Sequence, residues 1–288
     1  MRSLFFTPLL AIAAACSGGA SVDPVGEDSD SDAIVQDDSD PILDTEVDTD
    51  DTGGAVLSAY PGGRYIVTEL RILNSGLGLD LDGDGTVDNN LPGLLTAADL
   101  VLGGNGFYGV QATNARIDAI LDAEATIVLL DITHELGVLE IALLRAVRDT
   151  DGNLQVLPEN YDGLGEPLQK FVGRFKSDVR CEAGPGQVTL PFQFDPDEPE
   201  IEITAVDARI GGDLDVFAFN GAIGGAFPID IVLNDVVNPL IVDNVPTSDQ
   251  ERILTLVEGA VTAAADVQAG GGPAISGAFS IKAEPATW

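Results

Sequence analysis

The run from Ala125 to Val147 reads ATIVLLDITHELGVLEIALLRAV, and its reading decides the fold. Ala125 to Ile132 and Val138 to Val147 are short and apolar, the length and composition of strands rather than helices. Between them His134-Glu135-Leu136-Gly137 supplies a turn, with a glycine that tolerates positive φ. Two strands joined this closely pair antiparallel.

The pattern repeats on either side. Gln187 to Phe194 and Ile201 to Ile210 read as a second pair, split by the acidic turn Asp195 to Pro199, with Val188, Leu190, Phe192 and Phe194 on one face. Leu214 to Phe219, with Phe217 and Phe219 on one side, and Gly221 to Ile231 continue it. Tyr65 to Leu73 is the predicted first strand, with Ile66, Thr68, Leu70 and Ile72 sharing a face, and Ala274 to Ala283 the last. Glycines at 211, 212, 221, 224 and 225 point to turns, bulges or close strand approach.

Three helices interrupt the strands. Leu94 to Leu102 carries Thr96 and Asp99 as a candidate capping pair, and Thr113 to Leu121 follows. Gln250 to Gln268 has an apolar stripe through Ile253, Val257 and Val261, with Ser248 and Glu251 as a capping box. Strands pairing on both sides of helices predict an α+β fold. It is expected to be mainly an antiparallel β-sandwich, or strongly twisted sheets, with three helices at one end. Residues 55–288 are assigned to it as a single globular domain.

The charge is uneven. Forty-eight Asp and Glu oppose 13 Lys and Arg, a formal net of -35 over 288 residues. Such a chain repels nucleic acid phosphates, so no nucleic acid partner is expected. Ala20 to Gly54 holds 13 acidic residues and no basic one, too little apolar surface to fold, and reads as a disordered acidic tether. Residues 55–288 still carry a net of -23.

Ahead of the tether, Arg2 and the apolar run Leu4 to Ala15 have the length of a secretory signal core and are too short to span a bilayer, which needs about 20 residues. Ile12-Ala13-Ala14-Ala15-Cys16 resembles the lipobox of bacterial lipoproteins, with Ala13 where leucine is usual. The resemblance implies removal of residues 1–15, acylation of Cys16, and membrane attachment through it. Ser17 in the second mature position implies the outer membrane. Several acyl chains anchor stably, each buried methylene contributing about 0.8 kcal/mol. Residues 16–54 would then be the lipidated cysteine and its linker. Cys181 is left without an intramolecular disulfide partner.

The sharpest motif is Asp80-Leu81-Asp82-Gly83-Asp84-Gly85-Thr86-Val87-Asp88-Asn89-Asn90. Counting from Asp80, carboxylates fall at positions 1, 3, 5 and 9, glycine at 6, and the carbonyl of Thr86 at 7, the front of an EF-hand loop. Asp80, Asp82, Asp84, Thr86 and Asp88 are therefore the candidate ligands of a structural Ca2+, an ion that accepts many oxygens at flexible geometry. Position 12 is Leu91 instead of a bidentate Glu, and 73–79 is a poor helix. The loop thus looks more like the Asp-Gly-rich calcium loops of thrombospondin type 3 and dockerin modules. Its missing ligands would come from water, Asn89, Asn90 or a distant carboxylate. Asp149-Thr150-Asp151-Gly152-Asn153 is a fainter echo and reads as a hairpin turn.

The whole resembles a group of uncharacterised lipoproteins of myxobacteria and related Gram-negative bacteria. Cys16, the tether to Asp51, the loop from Asp80 to Asn89 and the run NGAIGGA from Asn220 to Ala226 carry that resemblance. It implies no known activity.

Catalytic motifs are sparse. His-Glu-x-x-His needs a second histidine at 138, where Val138 stands, and His134 is the single histidine. Neither a Gly-x-Ser-x-Gly elbow nor a phosphate-binding loop occurs. Cys181 lies near Lys176 and Arg180, cations able to lower a thiol pKa. Lys170, Arg174, Lys176 and Arg180 form the one basic cluster, facing a membrane, an acidic partner or solvent. No catalytic residue is assigned. The expectation is a lipid-anchored cell-envelope protein of structural or binding role, with an envelope protein or a small ligand as partner. The alternatives are a carrier of lipid or small molecules in an apolar cavity, and a carboxylate-based hydrolase of envelope or extracellular glycans.

Overall fold

Among the described residues ten strands form one sheet, and eight of them close on themselves. The computed structural model describes Tyr60, 62–102, 109–192 and 201–288, so the signal, Cys16 and the tether lie outside the described residues. In chain order the strands are β1 (Gly62–Ile72), β2 (Ile127–Glu135), β3 (Val138–Arg148), β4 (Leu154–Val156), β5 (Lys170–Phe175), β6 (Arg180–Phe192), β7 (Ile201–Leu214), β8 (Phe219–Pro228), β9 (Val267–Ala269) and β10 (Gly272–Pro285). The ring runs β1-β2-β3-β5-β6-β7-β8-β10, and β10 pairs back onto β1. Each pairing is antiparallel. The expected sandwich is therefore a closed eight-stranded barrel. Periodicity alone cannot tell the two apart, because both need strands with one buried face.

Closure leaves an interior that side chains fill, as expected for eight strands. Tyr65, Phe171, Phe219 and Phe279 are the largest fully buried residues. Glycines on the wall make room for them, and a Cβ on Gly186 would lie 2.9 Å from the Phe171 ring. The quoted run is apolar on both faces for a separate reason. Leu130, Ile132, Leu139, Ile141 and Leu143 join the inner core. Ile127, Leu129, Ala142 and Leu144 form an outer cluster, covered by Leu154, Val156, Tyr161 and Trp288. Leu136 and Gly137, at φ of 54° and 82°, make the two-residue hairpin turn with the handedness that matches twisted strands.

Among the described residues, four helical stretches replace the expected three. They are α1 (Leu91–Leu102), α2 (Val110–Asp122), α3 (229–244, with a π-helical middle at Val232–Val237) and α4 (Thr247–Ala263). All lie at one end of the barrel, after β1 or after β8. The predicted strand Gly221 to Ile231 ends at Pro228, and its last residues open α3. Predicted helix Gln250 to Gln268 stops at Ala263, because Val267–Ala269 pairs with β10 as β9. Neither capping pair forms. The Thr96 hydroxyl donates back to the Pro92 carbonyl within the helix, and α4 starts after Pro246 with no side-chain cap.

Two strand assignments also shift. A bulge between Val67 and Glu69 turns β1 over, so Tyr65, Val67, Leu70 and Ile72 are buried while Ile66 and Thr68 leave the inner face. Residues 215–218 form a turn rather than part of a strand, which exposes Phe217 and buries Phe219. The echo at Asp149 is the hairpin turn expected, with Asp149 Oδ1 accepting the amides of Asp151 and Asn153.

Candidate cation loop and barrel recess

The acidic loop is fastened to the outer wall of the barrel over β8 and β10. Its neck is a bridge between Leu79 and Asp88, where the Asp88 amide donates to the Leu79 carbonyl at 2.9 Å. Leu79 lies against the wall at Gly224, where an added Cβ would be 3.3 Å from its Cδ1. Val87 packs beneath the loop, over Gly78. The sequence places Leu91 where an EF-hand keeps its bidentate Glu. Here Leu91 is buried beside Gly277, committed to the core.

Inside the loop, carboxylates gather backbone amides as well as facing one another. Asp80 accepts from Gly83 at 2.6 Å and Gly85 at 3.0 Å, both glycines at positive φ. Asp88 accepts from Leu81 at 2.7 Å and Asp82 at 3.3 Å. Partial burial raises the Asp88 carboxyl above the usual aspartate range, outweighing those two amides. The carboxylate oxygens of Asp80, Asp82 and Asp88 lie within 4.8 Å of one another, a cluster able to chelate a divalent cation. Asp84 stands outside that cluster. Its oxygen takes the Thr86 amide at 2.7 Å and hydroxyl at 2.5 Å, which hold its carboxyl below the usual range. Of the five predicted ligands, the fold thus brings three together.

Asn89 and Asn90, expected as possible ligands, are anchors instead. Asn89 is buried. Its amide donates to the carbonyls of Leu73, Asn74 and Leu77, and its Oδ1 accepts from Ala278. Asn90 donates to the Ala264 carbonyl at 2.7 Å. Asp266, a neighbouring carboxylate, is occupied by the amide and hydroxyl of Ser276. Water and backbone carbonyls are what remain to complete a coordination shell.

A second feature was not legible in the sequence. β5 has six residues between neighbours of 11 and 13, and it pairs with β3 only from Leu139 to Ala142. Beyond its start, one residue joins the two walls. The Gln169 carbonyl accepts the Leu143 amide at 2.9 Å, and its side chain accepts the Thr189 amide at 3.0 Å. Beneath lies a recess lined by Val67, Leu70, Leu143, Leu190, Ile223 and Ile281, with a volume of about 30 Å³. Arg145 and Glu202, an ion pair from β3 to β7, stand at its rim. In the ring, this gap is opposite the wall that carries the acidic loop.

The remaining predicted groups are structural. His134 Nδ1 lies 3.0 Å from the Tyr60 carbonyl, and its ring meets Phe175 edge-on at 5.0 Å. Lys170 pairs with Glu140 and Glu166, and Lys176 with Glu182. Cys181 is buried on β6, and burial pushes its thiol up to about 12, opposite to the lowering its basic neighbours suggested. A thiol so high is protonated at neutral pH. Native protein at pH 8 is therefore expected to leave Cys181 unmodified by a disulfide reagent such as Ellman's, with full reaction on unfolding. Modification at the rate of a free thiol in the folded state would contradict this.

Fold and loop together define an eight-stranded antiparallel barrel bearing a three-carboxylate cluster competent for a divalent cation, which suits a structural or ligand-binding role. No family, no curated protein and no solved structure matches the chain.

Proposed function

We propose that this barrel is a non-enzymatic binding domain of the cell envelope, taking a small apolar ligand at the gap left by β5. The observation that carries the reading is the recess itself, whose apolar lining lies under a wall bridged by Gln169 and the Arg145–Glu202 ion pair rather than by continuous strand pairing. Its size limits the ligand. About 30 Å³ is far below the roughly 300 Å³ of an ordinary small-molecule pocket. A whole lipid does not fit, whereas a short branched group or chain end does. Three or four methylenes at about 0.8 kcal/mol each correspond to dissociation constants in the millimolar range. Glu202, the carboxylate on this rim, is tied to Arg145, which offers no carboxylate pair for glycoside chemistry.

Titration of the full chain with an environment-sensitive apolar dye is expected to saturate, and a filling substitution, Val67→Phe, should abolish the signal while the protein stays folded. Dye binding that never saturates, or that survives Val67→Phe, overturns the reading.

The acidic cluster supports a second element of the function, a structural Ca2+ that fixes residues 80–88 to the wall. It lies across the ring from the recess, so it supplies no chemistry there. Anchoring through an acylated Cys16 to the outer membrane of a Gram-negative bacterium completes the proposal, supported by the lipobox-like run before Cys16 and by the acidic run after it.

A further inference from the structure

The barrel end away from the helices is built from three turns and a seam: 136–137 between β2 and β3, 176–179 between β5 and β6, 215–218 between β7 and β8, and the β10–β1 pair. Every one of the three turns exposes an apolar side chain. Leu136 is fully exposed, Phe217 is 77 % exposed beside Val216, and Val179 is 45 % exposed. Tight turns ordinarily carry glycine, asparagine, aspartate or serine, so three apolar tips at one end are not a requirement of the fold.

Tyr60 draws these turns together. Its hydroxyl lies 2.8 Å from that of Tyr65, which donates to the Asp215 carbonyl at 2.6 Å. Its carbonyl meets His134 at the end of β2, and its ring packs against Phe175 at the end of β5. The chain leading from Cys16 therefore joins the barrel at the end where the apolar tips stand. Val138, exposed at the start of β3, shares that placement, and the remaining exposed apolar residues lack it. Leu100, Val242 and Leu256 sit on separate helices at the far end, with Leu164 and Leu168 on the loop before β5.

We propose that this end docks on a zwitterionic phospholipid interface, with Leu136, Val179 and Phe217 entering among the headgroups and Arg180 facing phosphates. The inference rests on the lipid-anchor reading of Cys16. Length favours it: Tyr60 stands only 44 residues after Cys16, so a lipid on Cys16 would keep this end within linker reach of the bilayer, where weak partition of three tips is enough for occupancy. Asp215 does not oppose entry strongly, because its carboxylate is engaged with the amides of Phe217 and Ala218 in the turn. The net charge of the body selects against anionic lipid.

The test separates docking from natural lipidation. The mature chain from Cys16 onward is coupled through its Cys16 thiol to maleimide-headgroup lipid in phosphatidylcholine vesicles, Cys181 being buried. A tryptophan is introduced by Phe217→Trp in a Trp288→Phe background, or by Leu256→Trp at the helical end as control. With acyl-chain-brominated lipid, Phe217→Trp is expected to lose at least half its emission and shift to the blue, and Leu256→Trp to change little. Adding Leu136→Asp to the first chain should at least halve the quenching. Equal quenching at both positions, or none at either, overturns docking whatever the fate of Cys16 in the cell. Separately, a Cys16→Ser chain that still floats with cell membranes overturns the anchor reading and leaves the vesicle result standing.

Discussion

Replacing Gly221 with valine is expected to lower the melting temperature by roughly 6–12 °C, the equivalent of about 3 kcal/mol in a domain of this size. Gly221 faces Gly212 across the β7–β8 pair. A Cβ there would lie 2.8 Å from the Gly212 Cα and closer still to the Gly211 carbonyl. Both obstacles are backbone, which cannot move aside as a side chain can, so the β7–β8 seam must open or the barrel bend must relax. Gly259 provides the opposite case on the exposed face of α4, where nothing lies within 4 Å of an added Cβ. Gly259→Ala should raise stability by up to about 1 kcal/mol through helix propensity alone. Thermal melts of the two variants decide it. A Gly221→Val protein melting with the wild type would mean that β7 and β8 do not approach as described.

That contrast also shows where the sequence runs out. Ala125 to Val147 announces its hairpin because both arms are long, aliphatic and joined at Leu136-Gly137. β5 does not, since Lys170-Phe-Val-Gly-Arg-Phe175 has only six residues and takes its stability from partners far along the chain. The first half of β6 is hidden for another reason. Gly184-Pro185-Gly186 has the composition of a turn, yet β6 runs through it with irregular register against β7. Ring closure depends on β1 meeting β10 across more than two hundred residues, and no local pattern encodes such a pairing. The strand read at Leu214 to Phe219 failed on alternation: Phe217 and Phe219 look like one face until Asp215 captures two amides and turns the chain.

The two candidate sites differ in the same way. Local spacing makes the acidic loop visible, because glycines and alternate aspartates bring carboxylates together within a few residues. Even so, spacing could not say that Asp84 turns to Thr86, or that Asn89 spends its hydrogen bonds on the 73–77 segment and on β10. The recess is assembled from all eight strands of the ring or their flanks and arises from the shortness of β5, a property of the neighbours as much as of the segment.

Millimolar calcium should raise the melting temperature of the folded chain, and the carboxylate cluster fixes how much. Extracellular sites of this kind bind at roughly 10⁻⁴ to 10⁻³ M. At 10 mM calcium, mass action on the folded state alone then contributes about 1.4–2.7 kcal/mol, or a shift of roughly 3–10 °C. Asp82→Asn combined with Asp88→Asn should abolish the shift, since two of the three clustered carboxylates are gone. The same double variant should melt no lower than wild type without calcium, because it also removes like-charge repulsion. Asp84→Asn is the discriminating single change. If all four aspartates ligated as in an EF-hand, it would cost as much as Asp82→Asn; with Asp84 held by Thr86, most of the calcium shift should survive. Magnesium should act more weakly at equal concentration, since it demands a tight octahedral shell and keeps its own water. A wild-type chain indifferent to calcium, or a double variant that still responds, would remove the ion from the account and leave the loop as an acidic turn held by Asn89.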